Sequence, residues 1–446
     1  MKNQLPILLF LFFLSLCAGG WSEDEAGWET FELKYTADKK GLEDVTSHKL
    51  VEPKIKAFIS LPNMKNAAGF AAGWSDGIFK ADTDGDGKPD AESRKPALHL
   101  KLNLTFEDGA SEPYDAWAYR YNTELGEKTD TQLWCWHRSC FWSGKVNGET
   151  VTLYDDNANG LYNDLMEDSI AVGGSKFAAP YTGLIILKER LFRIKLDPHG
   201  HSVSIKPYEG ETGTINIVKE FSKPMKGISG AKVFVVERTS EGEKVCLDIA
   251  GAKDAPVPVG KYTLKVAMLS DRIFVTAGKH AEIDVAQGQE AYFKWGGPFE
   301  LDTEVWCDMG GYTLELERSG ARPRYKQVET DAPTVKIAFP YIKGANGERY
   351  YGNPRYNDLD NNCFADEGVQ TFFVTILDHK KKQVNKGEHM WTRRGNQGYG
   401  FSDGYTFEKY QWPALEFRGV AKVEVATTSK IFGDLKFEGE VNVEMK

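Results

Sequence analysis

Between Ala97 and Phe106 apolar residues fall at every second position. Leu98, Leu100, Leu102, Leu104 and Phe106 alternate with His99, Lys101, Asn103 and Thr105. Successive side chains of an extended chain point to opposite faces, so this pattern predicts a strand with one buried and one wet face. Shorter runs predict strands over residues 54–61, 115–121, 151–154, 184–187 and 191–196. Asn147-Gly148, lying between strand signals, predicts a hairpin turn because both residues tolerate positive φ. Alternation recurs at 312–316, 335–339, 370–377, 420–425 and 441–445. Before Asp90 only residues 63–72 suggest a helix, and Gly69 and Gly73 weigh against it. The fold class that follows is mainly β.

A chain of 446 residues exceeds what one hydrophobic core usually serves, so several domains are expected. Residues 1–20 read as an export signal, with Lys2 followed by an apolar run from Leu8 to Leu16 and then Ala18, Gly19 and Gly20. A β-rich domain is expected over 21–210, closed by a change of composition at 207–213. A second block covers 211–298 and a third 299–446, each expected to be a β-sandwich. In the second block the segment Pro256-Val257-Pro258-Val259-Gly260-Lys261-Tyr262-Thr263-Leu264-Lys265-Val266 resembles an edge of small immunoglobulin-like or transthyretin-like modules in bacterial secreted proteins. The resemblance implies a sandwich fold and no chemistry.

Charge and cysteine content narrow the setting. The net charge of −10, with no dense basic cluster interleaved with aromatics, argues against nucleic acid as the main partner. After the signal, no stretch approaches the ~20 apolar residues of a membrane-spanning helix. Cys17 follows Leu16, too large for a lipidation signal, so plain export to the periplasm, the cell surface or the medium is expected. Five cysteines remain: Cys135, Cys140, Cys246, Cys307 and Cys363. Cys135 and Cys140 flank Trp136-His137-Arg138-Ser139, a spacing that suits a disulfide across a tight hairpin; two buried thiols are the competing reading.

The chemistry most legible in the chain is calcium binding. In an EF-hand loop, oxygens at positions 1, 3, 5, 7, 9 and 12 wrap the ion, and glycine at 6 permits the bend. Starting from Asp82, the chain supplies Asp84, Asp86, Gly87, the Lys88 carbonyl and Asp90 at 3, 5, 6, 7 and 9. Position 12 is Ser93 unless Glu92 substitutes, and Pro89 with the strand at 97 leaves no room for an exiting helix. The stretch therefore resembles the Asp-x-Asp-x-Asp-Gly-x-x-Asp calcium turns of thrombospondin type 3 and dockerin-like repeats. Without the bidentate glutamate, dissociation constants of ~10⁻⁴ to 10⁻³ M are expected. A second loop places Asp155, Asn157, Asn159, Gly160 and Asn163 on the same positions, with Glu167 or Asp168 available to complete the shell. Its amides lower the charge, and Asn159-Gly160 also reads as a plain turn. A third loop repeats the spacing at Asp358, Asp360, Asn362 and Asp366 but has Cys363 where the glycine belongs, which favours an ordinary acidic loop.

Catalytic spacing is not among the readings. No nucleophile elbow, His-Glu-x-x-His, Walker loop or dinucleotide fingerprint stands out, and His199-Gly200-His201 reads as a hairpin turn. Trp134, Trp136 and Trp142 crowd the Cys135/Cys140 region, and exposed rings at Trp134 and Trp136 would stack on sugar; core packing is the competing reading. Two functions follow as expectations. The first is a secreted or surface protein, structural or adhesive rather than catalytic, whose loops are ordered by calcium and whose partner is a surface polysaccharide or another exported protein. It resembles uncharacterised exported bacterial proteins that combine such loops with immunoglobulin-like modules. The second is a carbohydrate-binding or carbohydrate-active protein built on the tryptophan region.

Overall fold

Among the residues described, every regular element of the computed structural model is a β-strand. The structure describes residues 27–37, 48–50, 57–59, 61, 65, 69–75, 78–95, 97–121, 133–173, 178–217, 221–222, 231–270, 273–276, 282–317, 324–337, 340–352, 373–381, 383–388, 410–414, 419–429 and 431–443. The export signal and the loop at 358–366 lie outside these residues.

Among the described residues, seventeen strands make up the first part of the chain. In order they are β1 (Glu29–Glu32), β2 (Lys34–Ala37), β3 (His48–Leu50), β4 (Ala57–Ile59), β5 (Phe70–Ser75), β6 (Ile78–Ala81), β7 (Ala91–Ser93), β8 (Ala97–Thr105) and β9 (Ser111–Tyr121). There follow β10 (Leu133–Arg138), β11 (Cys140–Val146), β12 (Glu149–Tyr154), β13 (Ser169–Val172), β14 (Ala179–Pro180), β15 (Leu184–Leu187), β16 (Arg190–Leu196) and β17 (Ser202–Pro207). They form four sheets, ordered β4-β5-β6-β7, β3-β10-β9-β8, β14-β13-β12-β11-β2 and β1-β17-β16-β15. The predicted strand at 97–106 is β8, with Leu100, Leu102 and Leu104 buried and Lys101, Asn103 and Thr105 exposed. Asn147 and Gly148 take φ of 49° and 84° in the β11–β12 hairpin, as the turn chemistry demands. The helix suggested at 63–72 is not formed where the chain is described. Phe70 and Ala72 are buried while Ala71 and Gly73 are partly exposed, a period of two that belongs to β5.

The expected first domain holds two cores. Leu61, Phe70, Phe79, Leu100, Leu104, Tyr114 and Trp136 belong to one. Leu33, Trp142, Val151, Leu153, Phe192, Ile194 and Val203 belong to the other. The chain changes sheet twice with almost no connection. At Leu33 it leaves β1, paired to β17, and enters β2, paired to β11; the Leu33 N–H donates to the His201 carbonyl at 2.7 Å. At Ser139 it leaves β10 for β11, and the Ser139 N–H donates to the Asp115 carbonyl at 2.7 Å. Backbone bonds at both corners keep buried polar groups satisfied where the ladders break.

Beyond Pro207 a third core runs from Ile215 to Val443. Its largest sheet orders Cys246–Asp248, Val233–Arg238, Gly260–Ser270, Ile273–Thr276, Arg349–Gly352, Tyr341–Lys343 and Glu300–Asp302, with Glu282–Val285 on the flank of Gly260–Ser270. The boundary expected at 298 is therefore bridged, because Ile273–Thr276 pairs with Arg349–Gly352. Tyr262, from the segment singled out above, is fully buried and donates its hydroxyl to the Pro258 carbonyl at 2.8 Å. Phe373–Leu377, Gln383–Glu388, Gly419–Ser429 and Gly433–Val443 form a further antiparallel sheet whose inward Val374, Ile376, Val423 and Val425 join the same core.

Candidate metal centre

The loop from Asp82 to Asp90 joins β6 to β7, with Ala81 opposite Ala91 at its mouth. Asp82 is buried at 1% exposure and organises the turn. Its Oδ1 accepts the N–H groups of Asp84 (3.2 Å) and Gly85 (2.7 Å), and its Oδ2 accepts that of Gly87 (2.8 Å). Asp84 and Asp86 each accept an N–H two residues on, at 3.1 and 2.7 Å. Gly85 and Gly87 sit at φ 81° and 84°, a conformation that costs glycine little. The result is a concave turn in which one oxygen from each of Asp82, Asp84 and Asp86 lies within 4.8 Å of the others. Opposed oxygens around a calcium ion at ~2.4 Å are ~4.8 Å apart, so the three fit one coordination shell.

Two expected ligands behave differently. Asp90, expected at position 9, turns to Thr83 instead: its Oδ1 accepts the Thr83 N–H at 2.9 Å and its Oδ2 the Thr83 hydroxyl at 2.7 Å. It fastens the mouth of the loop. Glu92, considered for the closing position, is exposed on β7 opposite Lys80, held there by the ladder. Lys88 reaches back to Asp86, Nζ to Oδ2 at 3.8 Å, from an exposed position where such a pair is worth ~0–1 kcal/mol and yields readily to a divalent ion.

The loop from Asp155 to Asp168 links β12 to β13 and repeats the design in a drier setting. Asp155, 1% exposed, accepts the N–H of Gly160 on Oδ2 at 2.8 Å, as Asp82 does from Gly87, and that of Asn159 on Oδ1 at 3.0 Å. Gly160 has φ 90°. Asn157 and Asn159 accept the N–H groups two residues on, at 3.1 and 2.8 Å. The side-chain amides of both turn to Asp164 Oδ2, and that of Asn157 also to Glu167 Oε2 at 2.9 Å. Asp164, rather than the expected Asn163, thus faces the turn. Asp168 is 1% exposed and accepts the N–H groups of Asp164 (2.7 Å) and Asp156 (3.3 Å).

The electrostatics of this second loop are unfavourable as it stands. Burial, followed by the neighbouring Asp155 charge, pushes the Asp168 carboxyl up to about 9. Burial pushes Asp155 up to about 6 against the opposing pull of Arg138. Arg138 is the cation of the site. Its Nε donates to the Asp155 carbonyl at 2.8 Å, its Nη1 to the Cys140 carbonyl, and its Nη2 to Asp156 Oδ1 at 3.2 Å. Tyr114 adds its hydroxyl to Asp155 Oδ2 at 2.9 Å. Neither Arg138 nor Tyr114 carries a signal in the linear motif, because both reach the loop from the neighbouring core. Asp168 did carry one, as a carboxylate at the end of an incomplete ligand set.

Other candidates resolve as structure. β10 and β11 are not partners and lie in different sheets, so Cys135 and Cys140 do not flank a hairpin; Cys140 is a free buried thiol, its Sγ 3.7 Å from the Tyr162 hydroxyl. Burial pushes that thiol up to about 11, which keeps it protonated and inert at neutral pH. Trp136 and Trp142 are 4% and 8% exposed and belong to different cores, so the expected sugar platform is not formed by them. His199 and His201 occupy the β16–β17 turn, as expected, and meet Asp108 and Glu112 at 3.0 and 2.8 Å. The expected absence of Gly-x-Ser-x-Gly does not hold at the level of letters, since residues 73–77 and 400–404 carry it. The first is the β5–β6 hairpin, Ser75 opposite Ile78, rather than a strand-to-helix elbow, and the second lies outside the described residues. Compared with known proteins, the chain matches no family model, no curated protein and no solved structure.

Proposed function

We propose that this is an exported, non-catalytic β-scaffold whose first part is ordered by calcium, in a structural or adhesive role. The observation that carries the reading is the convergence of Asp82, Asp84 and Asp86 on one point of a turn preshaped by two left-handed glycines. The Asp155–Gly160 bond repeats the Asp82–Gly87 bond five residues apart, which supports extending the reading to the second loop. The extreme N-terminal sequence, Lys2 with its apolar run, supports export to a calcium-rich compartment.

Both loops lean on the same strand. The Thr83 carbonyl accepts the Asn103 N–H at 3.3 Å, and Gly160 sits against Leu104 and Phe106. Ions in these loops would brace β8 from two sides, a mechanical role that needs no helix pair to open.

Thermal unfolding with calcium and with chelator tests the proposal. At ~10 mM calcium and a dissociation constant of ~1 mM, each site adds about 1.4 kcal/mol by mass action. That is a rise of several degrees in the transition of the first two cores. Asp82→Asn together with Asp84→Asn removes the part due to the first loop. Identical melting curves with calcium and chelator would sink the reading.

A further inference from the structure

The outward face of the β1-β17-β16-β15 sheet is divided. At one end Leu184 and Leu191 pack into the core that follows. At the other, Arg193, Lys195 and Lys206 line an open cleft of ≈ 630 Å³. Register places all three on that face, with Arg193 directly opposite Lys206 and Lys195 opposite Ser204. Like charges directly opposed across a sheet destabilise it, a cost offset here by the Arg193–Glu243 pair and by the contacts of Arg193 with the Tyr208 ring and of Lys206 with the Trp28 ring.

Both lysines reach the ring of Trp28. The Nζ of Lys195 is 4.7 Å from its ring centroid and that of Lys206 is 5.1 Å, both within cation–π range. The far wall comes from the turn before Cys246 and contributes Glu243 and Lys244. Glu243 is already engaged by Arg193, at 2.9 and 3.4 Å. Of five charged residues lining the cleft, four are cations, in a chain whose net charge is −10. The exposed Leu165 adds apolar surface, and the buried Tyr181 lies at the base of the cleft.

We propose that this cleft binds a short segment of acidic oligosaccharide, a chain of uronate-type sugars. The cations come from two β-strands and from the opposing turn, so an oligosaccharide carrying a carboxylate on each ring can meet more than one of them. The partly exposed Trp28 and the exposed Leu165 offer apolar surface to the C–H faces of pyranose rings. The volume falls in the range of sites that enclose small ligands. The strongly negative remainder of the chain disfavours a long polyanion such as nucleic acid. None of this depends on a metal in either acidic loop.

Isothermal titration of the full chain in chelator, with trigalacturonate as probe and maltotriose and inorganic phosphate as comparisons, tests the assignment. The expected result is saturable binding of trigalacturonate, no binding of maltotriose, and weakening as salt is raised. Lys195→Gln with Lys206→Gln should lower the affinity about tenfold or more, a loss of ~1.4 kcal/mol or more. Trp28→Ala should lower it as well, with unchanged circular dichroism for both variants. Absence of trigalacturonate binding, or equal affinity in the double variant, overturns the proposal. So does phosphate binding as tightly as the trimer, which would mark an isolated-anion site. Tighter binding to an oligonucleotide or to anionic phosphatidylserine vesicles overturns the saccharide class in favour of that partner.

Discussion

The glycine at the sixth position of each acidic loop carries different burdens in the two places. Gly87 and Gly160 have nearly the same left-handed φ, 84° and 90°. A methyl group on Gly87 meets nothing within 4 Å, whereas on Gly160 it lies 3.1 Å from Leu104 Cδ1 and 3.2 Å from Phe106 Cε1. Gly87→Ala should therefore cost only the backbone term, about 1–2 kcal/mol. Gly160→Ala adds an overpacking term of about 1–3 kcal/mol at the edge of a filled core. Chemical denaturation of the two variants in chelator checks the difference; equal destabilisation would mean that the second loop is not seated on β8. Asp82 illustrates the same lesson at a polar atom. Its carboxylate answers three backbone N–H groups, so Asp82→Ala should cost about 1–3 kcal/mol even without calcium, through donors left unpaired in a buried turn. The measurement is the denaturation midpoint in chelator, and a midpoint within error of the parent would show that the carboxylate does not shape the loop.

At the scale of elements, the second loop makes a pH prediction whose sign is fixed by raised carboxyl values. An aspartate titrates near ~3.9 in an unfolded chain. With Asp155 raised to about 6 and Asp168 to about 9, the folded state holds protons that the unfolded state has released. Their stabilising contribution is complete below pH ~4 and is lost as pH rises through about 6 and then about 9. In chelator, the melting temperature should fall between pH 6 and 9, and Asp168→Asn should flatten the fall. Calcium should flatten it too, since the ion replaces the protons. A melting temperature that climbs through this window, or an unchanged slope in Asp168→Asn, would exclude a charged pair at this site. The strands that frame the loop were legible in the sequence because alternation is a local property. Leu100, Leu102 and Leu104 show their face without reference to any partner. Leu33 and Ser139 do not: a corner where the chain passes between sheets looks like a continued run, so the Cys135–Cys140 stretch reads as a hairpin when it is a crossing. The acidic spacing of both loops was legible for the same local reason. Asp90 turning inward to Thr83, and Asp164 standing in for Asn163, depend on which way the loop folds against β8, and spacing alone is silent on that.

For the whole molecule, the two sites described above are mechanically connected. Leu165 and Met166 form one wall of the cationic cleft and belong to the second acidic loop. The Met166 N–H donates to the Tyr181 carbonyl and the Tyr181 N–H to the Asp168 carbonyl, both at 2.8 Å, so the residue that closes the loop also positions a residue of the cleft. An ion that fixes Asp168 thereby restricts the wall against which a ligand would pack. Ordering before binding removes part of the entropy that binding otherwise costs, so calcium should tighten trigalacturonate binding, by a few-fold to about tenfold. Linkage then requires trigalacturonate to tighten calcium by the same factor. Calcium can also bridge carboxylates of the sugar itself, and Asp168→Asn separates the two routes. That variant should still bind trigalacturonate in chelator but lose most of the gain on adding calcium, whereas bridging through the sugar would survive the substitution. An equal calcium effect in the parent chain and in Asp168→Asn would show that the loop and the cleft act independently.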